Sequence, residues 1–286
     1  MSRIVYVNGN YIPEEEATVS VFDRGFLFAD GIYEVTAVVD GRILEFDGHI
    51  ARLKRSLGEV GMEMPVSEEE LLAIHRELVS RNDLAEGGIY LQITRGNPGD
   101  RDFVYPAKDV PQTMVLFTQA KTLVDSPVAA KGIKVIAVPD IRWGRRDIKT
   151  VQLLAPSMAK MAAKAEGKDD AWLVQDGFVT EGSSCNAYIV TKEGTIITRN
   201  LSNSILPGIT RASVLKLVEE TGMTLEERAF TIEEAKNAAE AFITAATTFV
   251  CPVVEIEGVE LSGGKPGPVA TRLKDVYIAE ARKAGI

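Results

Sequence analysis

The chain has 286 residues, a formal net charge of −9, 45% hydrophobic and 26% charged residues. That is long enough for two modest domains and ordinary for a folded globular protein. With an acidic balance and no concentrated basic stretch, the sequence excludes a nucleic-acid partner, because phosphate backbones demand a basic surface.

From the N-terminus there is no apolar run of signal-peptide type. The most apolar stretch, 241–254, falls short of the roughly 20 residues that span a bilayer, so no membrane partner is expected. Residues 3–7 alternate as a strand, followed by the turn signal Asn8-Gly9. Residues 32–39 and 43–46, joined by Asp40-Gly41, read as a hairpin. Ile50, Leu53, Leu57 and Val60 recur at helical spacing. A second helix opens at Ser67, where Ser67 and Glu70 form a capping box ahead of Leu71, Ile74 and Leu78. His75 lies inside that pattern and is expected to be partly exposed. Strands return at 89–94 and 113–118, so residues 1–119 read as a small α+β domain with helices on one antiparallel sheet.

Periodicity then fades, and residues 120–129 read as a linker to a larger domain over 130–286. This part opens with a strand at 134–138 and a helix near 155–166. Hairpins follow around Asp176-Gly177 and Glu193-Gly194, then a helix over 210–220 closed by Gly222. Thr231 and Glu234 form another capping box. The last segment is an amphipathic helix carrying Val269, Leu273, Val276 and Tyr277.

Several chemistries drop out. His49 and His75 are the only histidines, and Cys185 and Cys251 the only cysteines, so no cluster has zinc spacing and no disulfide framework is expected. A reducing cytoplasm suits such a chain. No glycine-rich segment matches a nucleotide fingerprint, and no nucleophile elbow is present. Three local features remain: Arg142-Trp-Gly-Arg-Arg-Asp-Ile-Lys149 just after a strand, Val179-Thr-Glu-Gly-Ser-Ser-Cys-Asn186 where two strands meet, and Leu206-Pro-Gly-Ile-Thr-Arg211 opening a helix. Singly these are a solvated basic face, a turn and a helix start; their order and spacing are what is specific.

Together with Asp23-Arg-Gly25, Asp30-Gly-Ile-Tyr-Glu34, His49-Ile-Ala-Arg-Leu53 and Thr244-Ala-Ala-Thr-Thr248, they make the chain resemble the fold-type IV pyridoxal-phosphate enzymes over essentially its whole length. Within that family, which holds the D-amino-acid and branched-chain aminotransferases, the segments at 30–34 and 147–149 look most like D-amino-acid aminotransferases. The resemblance implies a two-domain α+β fold: a small N-terminal α/β domain and a larger, β-rich C-terminal domain with peripheral helices. It also implies transamination between a D-amino acid (D-alanine, D-glutamate type) and a 2-oxo acid (2-oxoglutarate, pyruvate).

The same resemblance assigns roles. Lys149 matches the catalytic lysine that carries the cofactor as an internal aldimine and then shuttles a proton, which requires a neutral amine. Glu181 matches the carboxylate that faces the pyridine nitrogen. Gly208 and the N–H groups of Ile209 and Thr210 form the phosphate cup at a helix start, with Arg52 as the phosphate arginine and Leu206 against the ring. Thr247 is the best candidate for a further phosphate contact, since Ala245-Ala246 stands where relatives offer hydroxyls. The substrate side departs from the family's Arg-x-His motif: after Thr94-Arg-Gly96 the chain reads Asn-Pro-Gly-Asp-Arg-Asp-Phe103. Tyr33, Arg101, Arg24 and Arg95 remain as candidates for the substrate carboxylate. Family membership further implies a homodimer with the active site at its interface. A branched-chain L-aminotransferase and an aminodeoxychorismate lyase are the alternatives on the same fold, and a non-catalytic cofactor carrier is the alternative outside it.

Overall fold

The computed structural model describes residues 2–286. They fall into two compact units. The first is the chain up to Thr122 with two returning pieces, Ile148–Gln152 and Ala284–Ile286; the second is Leu123–Asp147 with Leu153–Lys283. Residues 120–129, read as a linker, run from the end of a strand to a short helix, α4 (Pro127–Lys131). Lys149 lies within the stretch 130–286 read as the larger domain, yet it belongs to the first unit.

The first unit is a six-stranded sheet of β1 (Ile4–Val7), β2 (Asn10–Pro13), β3 (Gly31–Val39), β4 (Arg42–Ile43), β5 (Gly87–Thr94) and β6 (Thr113–Ala120), in the order β2-β1-β6-β5-β3-β4. All its ladders are antiparallel. Period-two alternation sends Ile32, Val38, Ile89, Leu91, Ile93, Met114 and Leu116 into one core. Helices α2 (Phe46–Glu59) and α3 (Glu68–Arg81) close it with Ile50, Leu53, Leu57, Leu71, Ile74 and Leu78. Each such side chain contributes about 1.5–3 kcal/mol on burial. The strand expected over 43–46 is cut short: Glu45 turns left-handed at φ 53° and Phe46 already begins α2. A short helix, α1 (Arg24–Phe28), capped by Asp23, precedes β3.

His75 corrects an expectation. It is 1% exposed, its Nδ1 lies 2.8 Å from the Leu71 carbonyl, and its ring meets Phe46 edge-on at 5.3 Å. Position 75 falls four residues after Leu71, on the same buried stripe, and burial pushes its pKa down to about 4.

Because β4 pairs only with Val38 and Val39, the edge of β3 beside Gly31–Tyr33 is open. Residues 149–151 fill it. Tyr33 donates its N–H to the Lys149 carbonyl (3.0 Å), Val151 donates to Gly31 (3.1 Å), and Ile32 pairs with Thr150. Lys149 is thereby fixed on a sheet edge and not on a free loop.

The second unit holds nine strands in the order β12-β11-β10-β13-β14-β7-β8-β9, with β15 on β14. They are β7 (Ile133–Pro139), β8 (Asp170–Gln175), β9 (Phe178–Gly182), β10 (Asn186–Val190), β11 (Ile196–Thr198), β12 (Leu225–Glu227), β13 (Glu240–Ala245), β14 (Phe249–Ile256) and β15 (Val259–Glu260). Its helices are α4, α5 (Leu154–Ala165), α6 (Ile209–Glu220), α7 (Ile232–Lys236) and α8 (Pro268–Ala284). No helix among the described residues is long and apolar enough to cross a membrane.

Candidate active site

In the first unit, Lys149 Nζ lies 4.1 Å from the centre of the Tyr33 ring, and the Lys149 N–H points at Ser56 Oγ (3.4 Å). Directly after Tyr33, Glu34 faces the core side of β3, where a carboxylate is tolerable only with partners. α2 supplies them. Arg52 donates through Nε to Glu34 Oε1 (2.8 Å) and through Nη2 to Oε2 (2.7 Å), and His49 Nδ1 lies 2.8 Å from Oε2. Burial alone would raise the Glu34 carboxyl, but Arg52 and His49 outweigh it and hold it down at about 2.

The substrate-side candidates separate here. Arg24 and Arg95 are both buried and converge on Asp30: Arg24 Nε at 2.8 Å, Arg95 Nε at 2.7 Å and Arg95 Nη2 at 3.1 Å. Arg95 also sits over the Tyr105 ring at 3.7 Å. Two buried guanidiniums thus share one carboxylate, leaving a local excess of positive charge. Arg101 is outside this cluster. It is exposed, with its guanidinium over Phe28 (4.6 Å) and Phe103 (4.8 Å).

In the second unit, Glu181 on β9 is 4% exposed. Its Oε1 accepts from Arg142 Nη1 at 2.5 Å. Its Oε2 accepts from Asn186 Nδ2 and from the Leu206 N–H, both at 3.1 Å. Asn186 also donates to the Leu206 carbonyl (3.0 Å), tying the strand to the loop before α6. Arg142 is shared with Asp140, which it meets through Nε (2.9 Å) and Nη2 (2.7 Å). Burial raises the Glu181 carboxyl; Arg142 and the Leu206 N–H oppose this, and the Asp140 charge adds to it.

α6 begins at Ile209 with Gly208 as N-cap and no side chain capping it. Gly208 is required for space, because a Cβ there would come within 2.1 Å of Asn186 Oδ1. Thr210 is buried, and its Oγ1 has no hydrogen-bond partner. In the turn between β13 and β14, Thr247 is half-buried, and the neighbouring Thr248 Oγ1 is also buried without a partner. A helix start with uncapped N–H groups and an orphaned hydroxyl is a place for an acceptor-rich anion such as a phosphate ester. Leu206 is half-buried in the loop that leads to it.

Sequence reasoning quoted Asp30, Glu34, His49, Asn186 and Arg142 within its motifs but gave none of them a role. Glu34 carried a legible signal: an acidic residue at an inward position of a strand, with His49 and Arg52 on one face of the next helix. Asp30 carried none, because its two arginines lie 6 and 65 residues away.

The amino-transferase class IV family model matches residues 31–256. The D-alanine aminotransferase of Bacillus licheniformis is 40% identical over 284 residues, covering 98% of this chain and 99% of that protein. The Staphylococcus aureus (strain N315) D-alanine aminotransferase is 36% identical over 275 residues, 96% of each. Among solved structures, a T.th. branched-chain amino acid aminotransferase complexed with N-(5'-phosphopyridoxyl)-L-glutamate superposes with a TM-score of 0.88 at 26% identity, covering 100% of this chain and 98% of that one. The branched-chain aminotransferase of Thermoproteus uzoniensis with norvaline gives 0.87 at 26%, covering 99% and 96%.

Proposed function

The chain belongs to the amino-transferase class IV family, a family of pyridoxal-phosphate enzymes, and we propose that it moves an amino group between a D-amino acid of the D-alanine or D-glutamate type and a 2-oxo acid. The observation that carries the D-amino-acid reading is the 40% identity to a D-alanine aminotransferase over nearly the full length of both chains. The branched-chain neighbours share the fold at 26% identity, and fold alone does not choose a substrate.

Lys149 is the residue we assign to hold the cofactor. Its backbone is pinned to β3 on both sides, so Nζ has a defined reach. Glu181 is assigned to the pyridine nitrogen: Arg142, Asn186 and the Leu206 N–H orient its two oxygens, and a carboxylate so placed keeps that nitrogen protonated. Gly208, the N–H groups of Ile209 and Thr210, Thr210 Oγ1, Arg52 and the Thr247–Thr248 hydroxyls are assigned to the phosphate, with Leu206 against the ring. When bound, the cofactor supplies an electron sink for the pair left at Cα as its proton departs. Lys149 Nζ takes that proton and holds it until it is returned.

For the substrate carboxylate, Arg24 and Arg95 are better suited than Arg101. Two buried guanidiniums sharing Asp30 can accept a second carboxylate without leaving a net negative cluster, and the Tyr33 hydroxyl is the further donor. We also propose a homodimer, supported by exposed apolar side chains: Phe22, Phe26, Phe103 and Val104 in the first unit, Leu154, Met158 and Met161 in the second. A cytoplasmic setting agrees with two buried cysteines that form no disulfide.

The test is the half-reaction spectrum. The aldehyde-form cofactor band is followed while D-alanine, D-glutamate, L-leucine and L-glutamate are added in turn. Loss of the band with the D-amino acids alone is expected. A response to L-leucine alone would replace D-specificity with branched-chain specificity, and a protein that takes up no cofactor would overturn the assignment of Lys149.

A further inference from the structure

Tyr33 enters the reading above through its hydroxyl. Its ring has a second set of relations, all within the first unit. On the face of the sheet opposite the core, Tyr33, Tyr90 and Phe117 stand on three successive strands, β3, β5 and β6. Tyr33 stacks on Tyr90 at 5.6 Å with 23° between planes, and Tyr90 on Phe117 at 4.8 Å with 22°. Tyr90 is anchored through its hydroxyl to Gln92 Oε1 (2.8 Å). The Tyr33 backbone is tied to the Lys149 carbonyl, and the Lys149 amine lies over the Tyr33 ring, 4.1 Å from its centre. Lysine and ring are therefore held in register by the backbone, and the ring is braced by a row of aromatics across the sheet.

An ammonium over an aromatic face is attracted by the ring quadrupole. A lysine that picks up a proton in each half-reaction needs a place where that charge is tolerated and from which it does not wander. We propose that the ring of Tyr33 is this seat: it positions the Lys149 ammonium whenever Lys149 is free of the cofactor, and it does so without the phenolic hydroxyl. Tyr90 and Phe117 act behind it by holding the ring. The proposal rests on Lys149 being the cofactor-bearing lysine.

The experiment uses the full-length enzyme in its pyridoxamine-phosphate form, in which that lysine is free. The labelling rate of Lys149 by trinitrobenzenesulfonate is read by peptide mass spectrometry at neutral pH. Tyr33→Phe keeps the ring and should label within twofold of the parent, while its Michaelis constant for the amino acid rises through loss of the hydroxyl. Tyr33→Leu removes the ring and should label about 2- to 5-fold faster, the size a surface cation–π contact sets. Mono-, di- and trifluorinated phenylalanines at position 33 then weaken the quadrupole at nearly constant shape. The labelling rate should climb stepwise with fluorination, which a packing role would not produce. A flat fluorination series, or a Tyr33→Phe rate equal to that of Tyr33→Leu, overturns the proposal. Failure of the underlying reading shows separately: borohydride reduction of the aldehyde-form parent would then fix the cofactor to a peptide that lacks Lys149.

Discussion

Glu34 and Glu181 are two fully buried carboxylates, each facing an arginine, and they shift in opposite directions. Glu34 is held at about 2, whereas Glu181 is raised. Burial penalises both charges alike, so the difference lies in the partners. Arg52 meets both oxygens of Glu34 in the fork geometry that suits a carboxylate, and His49 adds a third bond. Arg142 reaches only one oxygen of Glu181, because its remaining donors serve Asp140, whose own charge works against Glu181. An arginine beside a buried acid does not decide the acid's charge; how many of its donors are free to serve that acid does.

The contrast can be broken most forcefully on the Glu34 side. Arg52→Met leaves a buried carboxylate without its fork and should lower the unfolding free energy of the cofactor-free protein by about 3–5 kcal/mol. Replacing both partners, as Glu34→Leu with Arg52→Met, should recover most of that loss. Urea unfolding of the three variants checks it. If the single change is as mild as the double, Glu34 is not held by this pair.

Glu181→Gln tests the other side. An amide cannot keep a pyridine nitrogen protonated, so kcat should fall on the order of 10²–10³-fold, while absorbance titration shows the cofactor still bound. A drop in occupancy matching the drop in rate would make Glu181 a binding residue only.

The smallest effect sharpens the comparison through pH. His75 is neutral in the fold, with its pKa pushed down to about 4 from an ordinary 6.5. The unfolded chain therefore takes up a proton first as pH falls. The stability tied to neutral His75 is whole above 6.5 and lost between 6.5 and 4, about 3 kcal/mol in all. Glu34 adds its own loss only below its ordinary 4.5, down towards 2. Glu181, being raised, contributes nothing to acid lability. His75→Leu should flatten the stability curve between pH 6.5 and 4, as read from urea midpoints across that range. An unchanged slope would place the acid sensitivity elsewhere.

Much of this was legible in the chain and some was not, for physical reasons. The hairpin at Asp40-Gly41, the Ser67 cap and the α6 start at Gly208 are local signals, read within a few residues. Motif order pointed to Lys149, Glu181 and the helix start that could take a phosphate. His75 was misread although the pattern was there: Leu71, Ile74, His75 and Leu78 form one buried stripe. The return of residues 148–152 to the edge of β3, and the arrival of Arg95 beside Arg24 on Asp30, depend on pairings across 65 residues or more. Register between distant segments is set by the assembled sheet and leaves no local trace.

Ile286 exchanges two backbone hydrogen bonds with Ile43 (2.9 and 3.0 Å), beside the short strand β4. Together with residues 148–152 it belongs to the unit that begins the chain. During synthesis the β3–β4 side of that unit's sheet is born with two stretches waiting: the one beside Gly31–Tyr33 is closed when residues 149–151 emerge, and the one at Ile43 only when residue 286 does. At about 5–20 residues per second, the second wait lasts on the order of ten to thirty seconds. For that interval an exposed strand edge is open to other nascent chains, so the yield of this protein in a cell will track how fast the ribosome reaches residue 286.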